Sequence, residues 1–255
     1  MVVFVRHEEA TPCRAAPGSP HQSYDYFGRS SPLHIGPHGF LVDYAPHRDT
    51  KAHFHTVDQF QLFFGSPGSR YQRHALPRAL LHYTDAFVTY GPFSTTEQPL
   101  RFFTLRPQES SLTAYMPADR DKLCYRGRRQ YHVELDALLD REHPPRGEIV
   151  VEQLIPVEDD GLAATLVVAG ACEEVELANP PVRTSGTYVC VLAGEVVIDG
   201  KTYGERSLGW LAADCAPIVA GTTHAATTSL ALMSYPNPPT PESQAPRAAA
   251  ALAVG

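Results

Sequence analysis

Apolar positions along residues 39–106 recur mostly at every second place, in short runs broken by Gly, Pro, Ser and Asp. "GFLVDYAP" (39–46), "DQFQLFFG" (58–65), "SRYQRHAL" (69–76), "RALLHYTD" (78–85), "AFVTYGPF" (86–93) and "LRFFTLRP" (100–107) follow one another at the spacing of a β-sandwich or small barrel. The rhythm stops over residues 107–147. There "YHVELDALLDREHPP" (131–145) predicts a helix, with Val133, Leu135, Leu138 and Leu139 on one apolar face and Pro144–Pro145 as its stop. From residue 148 strand patterns return, in "EIVVEQLIP", "LAATLVVAG", "GTYVCVLAGEVVIDGKTYG", "GWLAAD", "APIVAGTTH" and "TTSLALMSYP". Asp199–Gly200 predicts the tight turn of a hairpin.

This pattern predicts an all-β chain of two similar modules. Residues 1–30 read as an extended arm, 31–106 as a first barrel, 107–147 as a connector with a short helix, 148–236 as a second barrel and 237–255 as a mobile tail. The 255 residues are 43% hydrophobic, enough for real cores. The formal charge of −7, with no Lys/Arg cluster, argues against nucleic acid and anionic membrane partners. Five scattered cysteines (13, 124, 172, 190 and 215) form no CxxC pair, and their odd number fits reduced thiols. With no secretory h-region and no long apolar run, the expectation is a soluble, cytoplasmic protein.

The chemistry gathers in the first third. Nine of the twelve histidines lie at or before residue 82, and "AHFHTVDQFQLFFG" (52–65) sets His53 and His55 one residue apart with Gln59 four further on. On a strand, residues two apart share a face, so both imidazoles project together. Gln59 lies past a short turn, and Gln61 has the same facing. Two imidazole nitrogens and an amide oxygen suit Fe, Mn, Ni, Cu or Zn. An all-neutral ligand set would leave the ion a strong Lewis acid.

With this motif the chain resembles the cupin superfamily, and its two-module layout resembles a bicupin. His53 and His55 match the first two metal ligands of the family's first motif, Gln59 takes its Glu position, and Gly65 falls within one residue of its closing Gly. His47 stands where the leading Gly belongs. "YTDAFVTYGPF" (83–93) resembles the second motif, with Asp85 at its Asp, but Phe93 occupies the place of the third histidine. His74 is then the leading replacement ligand, ahead of His82. His82, Gln61, Tyr71 and Tyr90 are candidates for catalysis or substrate binding. In the second module "PIVAGTTH" puts His224 at a ligand position, while Pro181, Arg183 and Thr187 replace the rest of the ligand set. That half implies a degenerate barrel, either structural or a pocket in which Arg183 and His224 hold an anion.

The resemblance implies two jelly-roll barrels, a divalent transition metal and a dioxygenase or isomerase acting on a small organic molecule. A homodimer is compatible with it. Two alternatives stay open: a non-catalytic bicupin that binds a small molecule or stabilises an assembly, and a metal-free enzyme with His74 or His82 as acid–base. No Gly-rich phosphate loop or nucleophile elbow is present.

Overall fold

A computed structural model describes residues 2–13, 19–27, 36–110, 113–124, 129–141, 144–171, 175–176, 183–215, 219–222 and 227–237. Pro12–Tyr24 and Gly28–Asp136 form one compact unit; Met1–Thr11, Asp25–Phe27 and Ala137–Asn237 form the other. After β1 (Val2–Val5), the chain runs through β2 (Thr11–Cys13), β3 (His21–Asp25), β4 (His38–Tyr44), β5 (His53–His55), β6 (Gln59–Phe64) and β7 (Arg70–Tyr71). It continues with β8 (His74–Ala75), β9 (Ala79–Thr84), β10 (Phe93–Ser94), β11 (Leu100–Arg106), β12 (Thr113–Tyr115) and β13 (Gln130–Glu134). The helix α1 (Asp136–Leu139) precedes β14 (Ile149–Ile155), β15 (Ala163–Ala169), β16 (Val175–Glu176), β17 (Thr184–Ala193) and β18 (Val196–Ile198). The last strands are β19 (Lys201–Tyr203), β20 (Leu208–Ala212), β21 (Val219–Thr222) and β22 (Thr228–Pro236).

In the N-terminal unit a seven-stranded antiparallel sheet, ordered β13-β9-β6-β11-β4-β3-β2, is accompanied by the smaller sheets β10-β7-β8 and β12-β5. Directly opposed residues share a face, so the register sorts the inner face into rows. The deepest row is apolar: Val42, Phe102, Phe63 and Leu80 stand side by side, and pack with Tyr71, Tyr90 and Phe93 from outside the large sheet. The next row is Phe40, Thr104, Gln61, His82 and His132. Beyond it, His38 faces Arg106, and Gln59 faces Thr84, which faces Gln130. The interior thus turns from apolar to polar within three rows. The opposite face is also buried, with Phe60, Leu62, Leu81, Tyr83 and Phe103 fully covered. Two buried faces explain why β6 reads as a run rather than an alternation.

In the C-terminal unit a six-stranded sheet, β1-β20-β17-β22-β15-β14, is joined by a four-stranded one, β16-β21-β18-β19. Val167, Ala169, Val191 and Leu230 from the larger sheet meet Val196, Ile198, Tyr203 and Ala220 from the smaller in one wholly apolar cluster. Phe4 of β1 packs on that cluster, and only glycine fits beneath its ring: a Cβ on Gly209 would lie 2.2 Å from it. The expected hairpin is present as β18 and β19, with Asp199 and Gly200 at φ 50° and 72° between them, the signs a two-residue type I′ turn requires.

Two expectations change. The helix predicted over 131–145 is a strand in its first part: residues 131–134 belong to β13, which pairs along β9, and among the described residues of the segment only Asp136–Leu139 is helical. "YHVEL" alternates with period two, so a paired edge strand outcompetes one marginal turn of helix. Asp136 fixes the switch by accepting the backbone N–H groups of Arg78 and Ala79 at 2.9 and 2.8 Å. Within residues 1–30, read as an arm, β1, β2 and β3 are paired sheet strands. Most of the tail falls outside the described residues. Among the described residues no helix is long and apolar enough to cross a membrane.

Candidate functional site

His53 and His55 project together from β5, as their spacing requires, with exposures of only 8% and 7%. The short strand is held on both sides. β12 pairs with it, setting Thr113 opposite His55 and Tyr115 opposite His53, while His53 and Tyr90 exchange backbone hydrogen bonds at 3.1 and 2.9 Å. The imidazole centroids lie 5.4 Å apart, and the Tyr90 ring sits 4.4 Å from His53. Gln59, fully buried on β6, joins them by donating its amide N–H to the Tyr90 hydroxyl at 2.7 Å.

At the centre of this group stands a residue that sequence reasoning missed. The buried Arg106 at the end of β11 donates Nε–H to Gln59 Oε1 at 2.8 Å and Nη2–H to His55 Nε2 at 3.0 Å. Its guanidinium also lies 5.6 Å from the Phe40 ring. An arginine just before a proline at a strand end resembles a solvent-facing residue. The available signal was its place in the alternation, since Phe102, Thr104 and Arg106 share one face of β11.

These contacts fix the protonation of the site. Arg106 has only donors, so His55 Nε2 is the unprotonated nitrogen. The proton of His55 sits on Nδ1, 3.4 Å from Thr113 Oγ1. His53 Nδ1–H donates to the Lys51 carbonyl at 2.8 Å, which leaves Nε2 as its basic nitrogen. Burial, with the Arg106 charge adding to it, lowers the His53 pKa against the opposing pull of the Lys51 carbonyl. Tyr90 is pushed up to about 12, chiefly by burial, and keeps its hydroxyl proton at neutral pH.

Deeper in the same interior, the fully buried His82 donates Nδ1–H to Gln61 Oε1 at 3.1 Å. Its Nε2 accepts from the Gln130 amide at 3.2 Å and lies 3.4 Å from the Tyr71 hydroxyl. Tyr71 in turn accepts the Gly91 N–H at 3.1 Å. His132 stacks on His82 with centroids 4.6 Å apart. Burial drives the His82 pKa well below that of free imidazole, with His132 and His53 adding to it, and lowers that of His132, with His74 adding there. His132 lay in the segment read as a helix, and Gln130 in the polar connector before it.

The structure therefore gathers His53, His55, Gln59, Gln61, His82, Tyr71 and Tyr90. It does not place His74 with them. That side chain is exposed on the two-residue strand β8 and lines a surface hollow with Gln72, Arg73, Gly91 and Pro92. The tight hairpin after Tyr71 carries it past the edge of the interior. Phe93, at the resemblance's third-histidine position, packs against Phe63, Phe102 and Tyr44. Asp85 serves structure, accepting from the Tyr83 hydroxyl at 2.9 Å and pairing with Arg129 at 3.0 Å. In the C-terminal unit Arg183 is exposed and reaches the Asp159 carbonyl at 3.4 Å, so it does not line the apolar interior. His224 lies outside the described residues.

As built, these residues do not fit a transition metal. Two of the three expected donor atoms, His55 Nε2 and Gln59 Oε1, are hydrogen-bonded to a permanent cation. Placing a dication beside that guanidinium, among neutral ligands, is electrostatically unfavourable. Among the described residues no group of three or more His, Cys, Asp or Glu is placed to hold a metal ion.

No protein-family model and no curated protein matches the chain. Solved structures do match at the level of fold. A candidate dioxygenase from Nostoc punctiforme aligns over 92% of this chain and 83% of its own, with 9% identity and a TM-score of 0.60. The Lactobacillus farciminis oxalate decarboxylase formate complex covers 91% and 86%, with 10% identity and a TM-score of 0.53. Oxalate decarboxylase from Bacillus subtilis covers 92% and 76%, with 10% identity and a TM-score of 0.52.

Proposed function

We propose that this chain, which has the two-barrel fold of the cupin superfamily, is an enzyme acting on a small organic molecule in its N-terminal barrel, with Arg106 supplying the positive charge at the site. The observation that carries this reading is the pair of hydrogen bonds from the guanidinium to His55 and Gln59. A fixed buried cation can stabilise an oxyanion that develops on a substrate. His53 complements it. Its proton is committed to the Lys51 carbonyl, and its lowered pKa keeps Nε2 unprotonated at neutral pH. An imidazole in that state is competent to accept a proton from carbon or oxygen. Tyr115, 45% exposed with its ring 5.8 Å from His53, marks the side nearest solvent. The chemistry best matched is proton transfer next to a carbonyl, an isomerase-type reaction through an enolate.

The test is hydrogen–deuterium exchange at carbon. Small keto acids and hydroxyketones are incubated with the protein in D2O and followed by proton NMR. Exchange should survive exhaustive chelation and be lost in His53→Ala. Exchange that needs an added transition metal, or a purified protein carrying about one bound metal per chain, would overturn it. A metal-dependent enzyme of dioxygenase type is the second reading, favoured by the common burial of His53, His55 and Gln59. It requires Arg106 to swing away from both acceptors.

A further inference from the structure

We infer that Arg106 occupies the place a divalent cation would take between His55 and Gln59, so that shortening this one side chain uncovers a transition-metal site that the parent chain lacks. The inference rests on the metal-free reading above.

The two acceptor atoms that Arg106 engages are the ones a metal would need. His55 Nε2 is the unprotonated nitrogen, and Gln59 Oε1 is the amide oxygen, turned toward the guanidinium because the amide nitrogen is fixed on Tyr90. Both bind neighbouring nitrogens of one guanidinium edge, so both lone pairs already face a common positive charge. The third donor is equally prepared: His53 holds its proton on Nδ1 against Lys51 and keeps Nε2 basic. Each side chain is oriented from behind by a backbone carbonyl, a hydroxyl or a phenol. Such outer contacts orient metal ligands where a metal is bound. They persist here although the ligand atoms serve a guanidinium.

Charge explains the exclusion. A guanidinium stays protonated throughout the accessible pH range, so acidity cannot vacate the position. A metal ion would have to displace it from two charge-assisted hydrogen bonds and remain near it in a buried setting, where like charges repel strongly. Replacing Arg106 by a short neutral residue removes the repulsion and releases both lone pairs together. The ligand class that then fits is a borderline divalent ion preferring nitrogen with one neutral oxygen, such as Co(II), Ni(II) or Zn(II).

Co(II) titration of the full chain, followed by its visible d–d absorption and by calorimetry, tests this. Arg106→Ala should rise from no specific binding to about one equivalent, and His55→Ala on that background should abolish it. Arg106→Lys, which keeps the charge, should stay metal-free. Arg106→Met, neutral and of similar length, should bind more weakly than Arg106→Ala but measurably. A folded Arg106→Ala and a folded Arg106→Met that both ignore Co(II), in a metal-free parent, would overturn this inference and leave the proposed function standing. A stoichiometric site in the parent would overturn both this inference and the proposed function. If both variants lose the fold, refolding decides: recovery with Zn(II) but not Mg(II) supports the site, and recovery with neither refutes it.

Discussion

The two barrels share an antiparallel plan and differ in what fills them. The N-terminal interior grades from the Val42–Phe102–Phe63–Leu80 row to a row holding Gln61, His82 and His132, then to Arg106, Gln59 and His38. The C-terminal unit packs Val167, Val191, Val196, Ile198 and Leu230 together, and the buried polar side chains described on its strands, such as the hydrogen-bonded Thr187 and Ser234, are hydroxyls. Burying polar groups costs free energy unless each is matched. The N-terminal barrel holds Gln59, Tyr90, Arg106 and His55 in one hydrogen-bonded group and Gln61, His82, Gln130 and Tyr71 in another. The difference teaches where to look for chemistry. Among the described residues, imidazole and amide side chains are buried in only one of the two interiors, and burying them there costs free energy that packing alone would not.

The largest effect should come from importing polarity into the apolar barrel. Leu230→Gln loses a packed leucine and buries an unmatched amide, and should cost about 3–5 kcal/mol of stability. Urea unfolding curves would measure it, and a loss near zero would mean that this interior admits water. The reverse exchange should cost less. Gln61→Leu leaves His82 Nδ1–H without its acceptor, a loss of about 1–3 kcal/mol. A more stable Gln61→Leu protein would show that the matched network is a net burden on folding.

The gentlest effect is on pH dependence. Burial lowers the folded-state pKa values of His82 and His132 below that of free imidazole. The unfolded chain therefore binds protons that the folded one refuses once pH falls through about 6.5. Stability should be full above that value and decline progressively toward the lower folded-state pKa values. His82→Gln should flatten the decline in denaturant midpoints between neutral and mildly acidic pH. An equal decline in that variant would place the sensitivity elsewhere.

Much of this contrast was legible in the sequence. The period-two runs marked the strands, Asp199–Gly200 marked a turn, and the His53–His55 spacing set two imidazoles on one face. A spacing rule could not reveal which side chain would arrive from a distant strand. Arg106 meets His55 and Gln59 through strand register, a non-local property. His132 reaches His82 in the same way, and its strand was masked by the helix-forming composition of "ELDALLD". His74 misled in the other direction. Its alternation was compatible with an inward side chain, but a strand of two residues at a hairpin tip has too little sheet around it to enforce that facing.

The pairing of Val2–Val5 with Leu208–Leu211 bears on biosynthesis and on dissection. During translation the apolar "VVFV" segment is made before a partner that lies more than two hundred residues downstream, an exposure that invites chaperone capture or aggregation. A fragment cut after α1 to isolate the C-terminal barrel would lack this strand. Its β20 would be left as an open edge, so supplying Val2–Val5 as part of a separate peptide should help such a fragment to remain monomeric.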